Sequence, residues 1–140
     1  MSYYFDMYAA LKKPIVDNSN FGIVCADENV EFNPPSDGSP WLQVFTIPNQ
    51  PVPREIGAVL SDEISGIYQI NINYPADKGR GASLTKADEI LAVYRRNASL
   101  AYGDAQVRIE SAGISRQAEN SPWYTTYLTI VWREFRCYEN

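Results

Sequence analysis

Residues 66–96, GIYQININYPADKGRGASLTKADEILAVYRR, constrain the fold more than any other stretch, because the period of their apolar residues changes once and sharply. Tyr68, Ile70, Ile72 and Tyr74 alternate with Gln69, Asn71 and Asn73, the two-residue period of a strand with one packed and one polar face. The polar face meets water or another subunit. Pro75 and the run Asp77-Lys78-Gly79-Arg80-Gly81 end the strand, since proline lacks the ladder donor and glycine admits turn conformations closed to other residues. From Ser83 onward Leu84, Ala87, Leu91 and Tyr94, with Ile90 alongside, fall on one stripe of a helix. Ser83 or Thr85 caps its first turn. Asp88 and Glu89 sit early and Arg95 and Arg96 late, as the helix dipole favours.

The remaining chain reads as further elements of one domain. Tyr4, Met7, Tyr8 and Leu11 make a helical stripe that Pro14 ends, because the residue before a proline is pushed out of the helical region. Short strands are expected over residues 21–25 and 29–32, and residues 33–40, NPPSDGSP, form a loop. Residues 41–47 carry apolar side chains on both faces and read as a central strand. Residues 48–65 hold Pro48, Pro51 and Pro53 with Glu55, Asp62 and Glu63, and read as a long mobile loop, a kind of segment usually kept for function. After α-helical residues 83–96, a connector over 97–104 leads to a strand over 105–111. A polar loop over 115–122 and a long strand over 123–135 follow. This order predicts an α+β domain: a single, mostly antiparallel sheet of four to six strands with two helices packed on it.

With 140 residues the chain suits one domain that buries roughly two-thirds of its unfolded surface. No apolar run reaches the ~20 residues of a membrane helix, and the N-terminus lacks the pattern of a secretory signal, so a cytoplasmic, membrane-free protein is expected. Cys25 and Cys137 are too few and too far apart for a disulfide framework or zinc site and read as reduced thiols.

Chemistry is sparse. The chain has no histidine, which removes a histidine base, a Ser-His-Asp triad and most zinc sites. The carboxylate pairs Asp27-Glu28, Asp62-Glu63 and Asp88-Glu89 fall in expected loops or a first helical turn, so no catalytic residue, cofactor or metal ligand is assigned. The glycine turn lacks the third glycine of a dinucleotide loop, Leu84 standing in its place. Two readings stay open for it: a flexible turn, or an anion or partner contact through Lys78 and Arg80. The tryptophans and tyrosines suit packing or a subunit interface. A net charge of -5, with Lys12-Lys13 and Arg95-Arg96 the only adjacent basic pairs, opposes tight grip on nucleic acid.

Taken in order, Asn33-Pro34-Pro35-Ser36-Asp37-Gly38-Ser39-Pro40-Trp41-Leu42, Gly66-Ile67-Tyr68-Gln69-Ile70 with Tyr74-Pro75 and the glycine turn, Val107-Arg108-Ile109, and Pro122-Trp123-Tyr124 before a final strand resemble small phage and prophage proteins related to tail terminators. The resemblance covers residues 30–135. It implies a non-enzymatic virion protein assembled in the bacterial cytoplasm: a hexameric ring that caps the tail tube, stops its elongation and receives the head. Implied partners are further copies of the chain, the tail tube protein and a head-completion or neck protein. DNA passes through without specific binding. Candidate interaction residues are Pro51, Arg54, Glu55, Asp62 and Glu63 in the loop, Gln69, Asn71 and Asn73 on the polar strand face, and Lys78 and Arg80 in the turn. The alternatives are another head-tail joining or tail-tube protein and, from another class, a small anion- or nucleotide-binding module.

Overall fold

The computed structural model describes residues 3–54 and 60–138. Helix α1 (Tyr3–Asp17) leads through a left-handed turn (Ser19–Gly22) into strands β1 (Val24–Ala26), β2 (Trp41–Pro48), β3 (Val52–Pro53) and β4 (Leu60–Pro75). Helix α2 (Gly81–Val93) follows, then β5 (Ser99–Tyr102), β6 (Ala105–Asn120) and β7 (Trp123–Tyr138). The strands form one seven-stranded sheet in the order β1-β2-β4-β7-β6-β5, with β3 beside β4. The expected α+β class with two helices holds. The sheet itself differs from expectation: it is mixed, because β1 runs parallel to β2, and it has more strands than four to six.

The core lies on one face of the sheet. Leu42 and Val44 of β2, Ile64, Tyr68, Ile70 and Ile72 of β4, and Leu128, Ile130 and Trp132 of β7 all point to this face and are buried. Met7, Ala10, Leu11 and Ile15 of α1 and Ala87 and Ile90 of α2 close over them, together with Tyr94. Burying each large apolar side chain contributes about 1.5–3 kcal/mol, so this layer outweighs every polar contact described below. The Tyr94 hydroxyl donates to the Leu11 carbonyl at 2.5 Å, tying the end of α2 to α1. Of the expected α2 stripe, Ala87, Ile90 and Tyr94 are buried, but Ser83 rather than Leu84 opens it. Neither expected hydroxyl caps the helix. Ser83 donates to the Arg80 carbonyl and Thr85 to the Gly81 carbonyl, each a back-bond along the helix.

Five stretches depart from the sequence reading. Helix α1 runs through Pro14 to Asp17, because the next residue, Ile15, is fully buried and its burial offsets the hydrogen bond that proline removes. Residues 29–32 make no strand; they belong to the connection that carries the chain back to start β2 parallel to β1. The stretch expected to be irregular over 48–65 carries β3 and the first residues of β4, with Val52 opposite Glu63 and Pro53 opposite Asp62. The expected connector over 97–104 contains β5, and the expected polar loop over 115–122 is largely β6. There the pairing rests on polar cross-strand contacts, such as Gln117 Nε2 to Thr126 Oγ1 at 3.0 Å.

Candidate functional site

Both helices occupy the core face, and among the described residues the chain between β1 and β2 folds over one end of the opposite face. At that end Phe32 stacks on Trp41 with ring centroids 5.0 Å apart, and Trp41 meets Trp123 edge-on at 5.9 Å. Pro34, Pro35, Ser36, Gly38, Pro75, Pro122 and Trp123 line a cleft beside them. The Ala76 amide closes this end by donating to the Pro122 carbonyl at 2.9 Å. The sequence blocks around Pro34, Pro75 and Pro122 are therefore neighbours in space.

Next along this face come Gln69, Asn71 and Asn73 of β4. In register with them stand Phe45, Gln43 and Trp41 of β2 on one side, and Thr129, Tyr127 and Thr125 of β7 on the other. Gln69 Nε2 donates to Asn71 Oδ1 at 2.9 Å, Asn71 Nδ2 to Gln43 Oε1 at 3.4 Å, and the Thr125 hydroxyl to Asn73 Oδ1 at 2.6 Å. Asn71 and Asn73 are buried and Gln69 half-buried. The polar side of the strand is thus bonded within the chain and largely buried, and Gln69 is its least buried member.

At the other end of the face the side chains are charged and apolar. Arg54 Nη2 lies 3.3 Å from Glu63 Oε2, Arg133 Nη1 lies 3.2 Å from Glu63 Oε1, and Arg133 Nε lies 2.9 Å from Glu110 Oε1. This chain of ion pairs crosses from the segment after β3 through β4 and β7 to β6. Around it Ile47, Ile67 and Phe135 are 48%, 36% and 56% exposed. Pro51 is half-buried between β2 and β3. Asp62 and Glu63, expected in a loop, are strand residues; Glu55 lies outside the described residues. Lys78 is exposed, and Arg80 donates to Gln117 of β6. The structure therefore brings Arg54 and Glu63 together, places Gln69, Asn71 and Asn73 further along the same face, and sets Lys78 and Arg80 apart from both groups. Glu110 and Arg133 were missed by sequence reasoning, although in a strand over 123–135 Arg133 stands an even number of residues from Thr125, Tyr127 and Thr129 and so shares their face.

Burial pushes the Cys25 thiol up to about 11, against a weaker opposing pull from Lys12, so it is protonated at neutral pH and a poor nucleophile. Lys12 instead pairs with Asp27. Among the described residues no group of three His, Cys, Asp and Glu side chains gathers to hold a metal, and no helix is long and apolar enough to cross a membrane.

The fold is thus a mixed sheet with both helices on one face and a second face of bonded polar and exposed apolar side chains. A family model described as phage tail terminator protein matches residues 6–132, and the chain belongs to that family. The family is one of structural proteins of the phage tail. A solved structure sharing 20% identity aligns over 96% of each chain with a TM-score of 0.73, a likeness of fold. No curated protein matches.

Proposed function

We propose that the protein is a ring-forming tail terminator that seats on the end of the tail tube, stops its elongation and provides the surface on which the head docks. The observation that carries this reading is the family match over residues 6–132. One feature of the sequence adds support. The net charge of -5, repeated around a ring, discourages DNA from adhering during passage. The ring's partners are the tube protein below and a head-completion or neck protein above, and it is assembled in the host cytoplasm into the virion tail. The chain between β2 and β4, with Pro51, Arg54 and Glu55, is the element that meets the last ring of the tube.

Two experiments test this. Inactivating the gene in its phage is expected to give headless tails of uncontrolled length; headless tails of normal length point to a joining protein instead, and absence of tubes to a tube protein. Replacing residues 49–59 by a short glycine turn, which leaves β2 and β4 whole, is expected to preserve rings and lengthen tails. Normal tail length with that variant removes this segment from the stop.

A further inference from the structure

The two edges of the sheet differ in the charges they leave without an ion pair among the described residues: acids alone at one, an excess of arginine at the other. Residues 14–53 contain Asp17, Asp27, Glu28, Glu31 and Asp37 and not one lysine or arginine, and they build the β1–β2 edge with its covering chain. Lys13 pairs with Asp17 and Lys12 with Asp27, while a Glu28 carboxylate oxygen accepts the Thr46 amide. Glu31 and Asp37 remain exposed, with no ion pair among the described residues. At the opposite edge Arg96, Arg108 and Arg116 are likewise exposed and unpaired; Arg116 only stacks its guanidinium 4.6 Å from the Tyr127 ring. Asp104 and Glu119 are exposed on this edge too, Glu119 accepting from the Ser121 hydroxyl, and Glu110 is occupied by Arg133, so the arginines outnumber the free acids here by three to two.

The two sets cannot neutralise each other within one molecule. From β1 to β6 the sheet takes four steps, about 19 Å at ~4.8 Å each, well beyond the Debye length of about 8 Å at physiological salt. A second observation marks the basic edge as unfinished. β5 pairs only with residues 105–108 of β6, so from Ser111 to Asn120 the outer side of β6 has no strand partner among the described residues, and Ile114 there is 42% exposed. Long bare edges invite another chain.

We propose that copies of this chain join side by side, the arginine-lined β6 edge of one against the acidic β1–β2 edge of the next; this rests on the ring reading above. Because the edges are different surfaces, the contact is head-to-tail, the kind that closes into a ring. Charge steers the approach and fixes which edges meet.

The test uses the full chain in sedimentation velocity over a range of concentration, with negative-stain images of tails. The variants are Arg108→Glu/Arg116→Glu and Glu31→Lys, all at exposed positions. Each alone is expected to weaken self-association at least tenfold, and so is raising salt from about 0.1 M to about 1 M, which shortens the Debye length from about 10 Å to about 3 Å. An equimolar mixture of the two variants is expected to recover assembly, since alternating copies restore opposite charge at every contact; recovery also shows that both variants fold. Association that survives both reversals, or a mixture that stays as weak as its parts, overturns the edge contact and leaves the ring intact. A wild-type chain that forms no ring in solution or on tails overturns the ring reading and this contact with it.

Discussion

Replacing Gly66 by alanine puts a methyl group where three neighbours already stand. A Cβ built there lies 2.4 Å from the Ile47 carbonyl oxygen, 2.8 Å from Cζ2 of Trp132 and 2.9 Å from Cα of Pro48. Two of these atoms are backbone of β2, the strand hydrogen-bonded to β4 at this point. The third belongs to a ring that is fully buried. Relief therefore requires moving a strand or the largest side chain of the core, and overpacking of this kind costs about 1–3 kcal/mol. With immovable atoms on both sides the upper value applies. Alanine's smaller unfolded-state entropy returns about 0.5–1 kcal/mol, leaving a net loss of about 2 kcal/mol, or a Tm lower by about 8 °C for a chain of this length. Gly113 supplies the comparison: it lies in β6, and a Cβ there meets nothing within 4 Å. Gly113→Ala is expected to hold or raise Tm by about 2 °C. Differential scanning calorimetry of both variants decides the matter. Equal losses, or a Gly66→Ala Tm within about 2 °C of wild type, would refute the close-approach account of this glycine.

Two buried tyrosines, their rings 6.0 Å apart, are expected to respond oppositely to loss of the hydroxyl. Tyr94→Phe deletes the bond to Leu11 and is expected to lower unfolding free energy by about 1 kcal/mol, whereas Tyr68→Phe removes a buried hydroxyl with no partner among the described residues and is expected to be neutral or stabilising in urea titrations. Alkaline pH is expected to destabilise the fold. Burial raises Cys25 from 9.0 to about 11 and carries Tyr68 and Tyr94 well above 10.0. Each folded pKa thus exceeds its unfolded value, the stabilisation is complete below pH 9, and it is lost as pH rises from there through 11. The same titrations between pH 8 and pH 11 check this, and Cys25→Ala is expected to flatten the first part of the decline.

What was legible in the sequence is what one face of one element determines. Tyr68, Ile70 and Ile72 repeat every second residue and are all fully buried, so their strand needed no tertiary knowledge. Ala87, Ile90 and Tyr94 did the same for α2. Glu63 shows the opposite case: its acid character and the nearby prolines suggest a loop, yet it sits in a strand paired on both sides, opposite Val52 and Phe135, and no local window contains both partners. The distal half of β6 was hidden for a further reason. Its own side chains after Ile114 are nearly all polar, and register shifts between Ile109 and Ser111 and between Ile114 and Arg116 break the two-residue period on which strand reading depends.

The polar residues of β4 illustrate how a correct local reading leads to an incomplete functional one. Alternation placed Gln69, Asn71 and Asn73 on one face, and they are there. Their meaning depends on what lies opposite: the Thr125 hydroxyl donates to Asn73 Oδ1 and Asn71 donates to Gln43, and Trp41 with Phe32 closes over that end of the sheet. A buried asparagine bonded within its own chain has little left to offer a second protein, since an incoming partner would first have to break bonds already made. The open part of the face lies towards the other end, where Phe45, Ile47, Ile67 and Phe135 keep apolar surface in water beside the Arg54–Glu63–Arg133 pairs. Apolar exposure rimmed by fixed charges is the composition of an association surface. On this chain it lies next to the segment that carries Pro51 and Arg54, so the open end of the face and the segment proposed to meet the tube form one continuous surface.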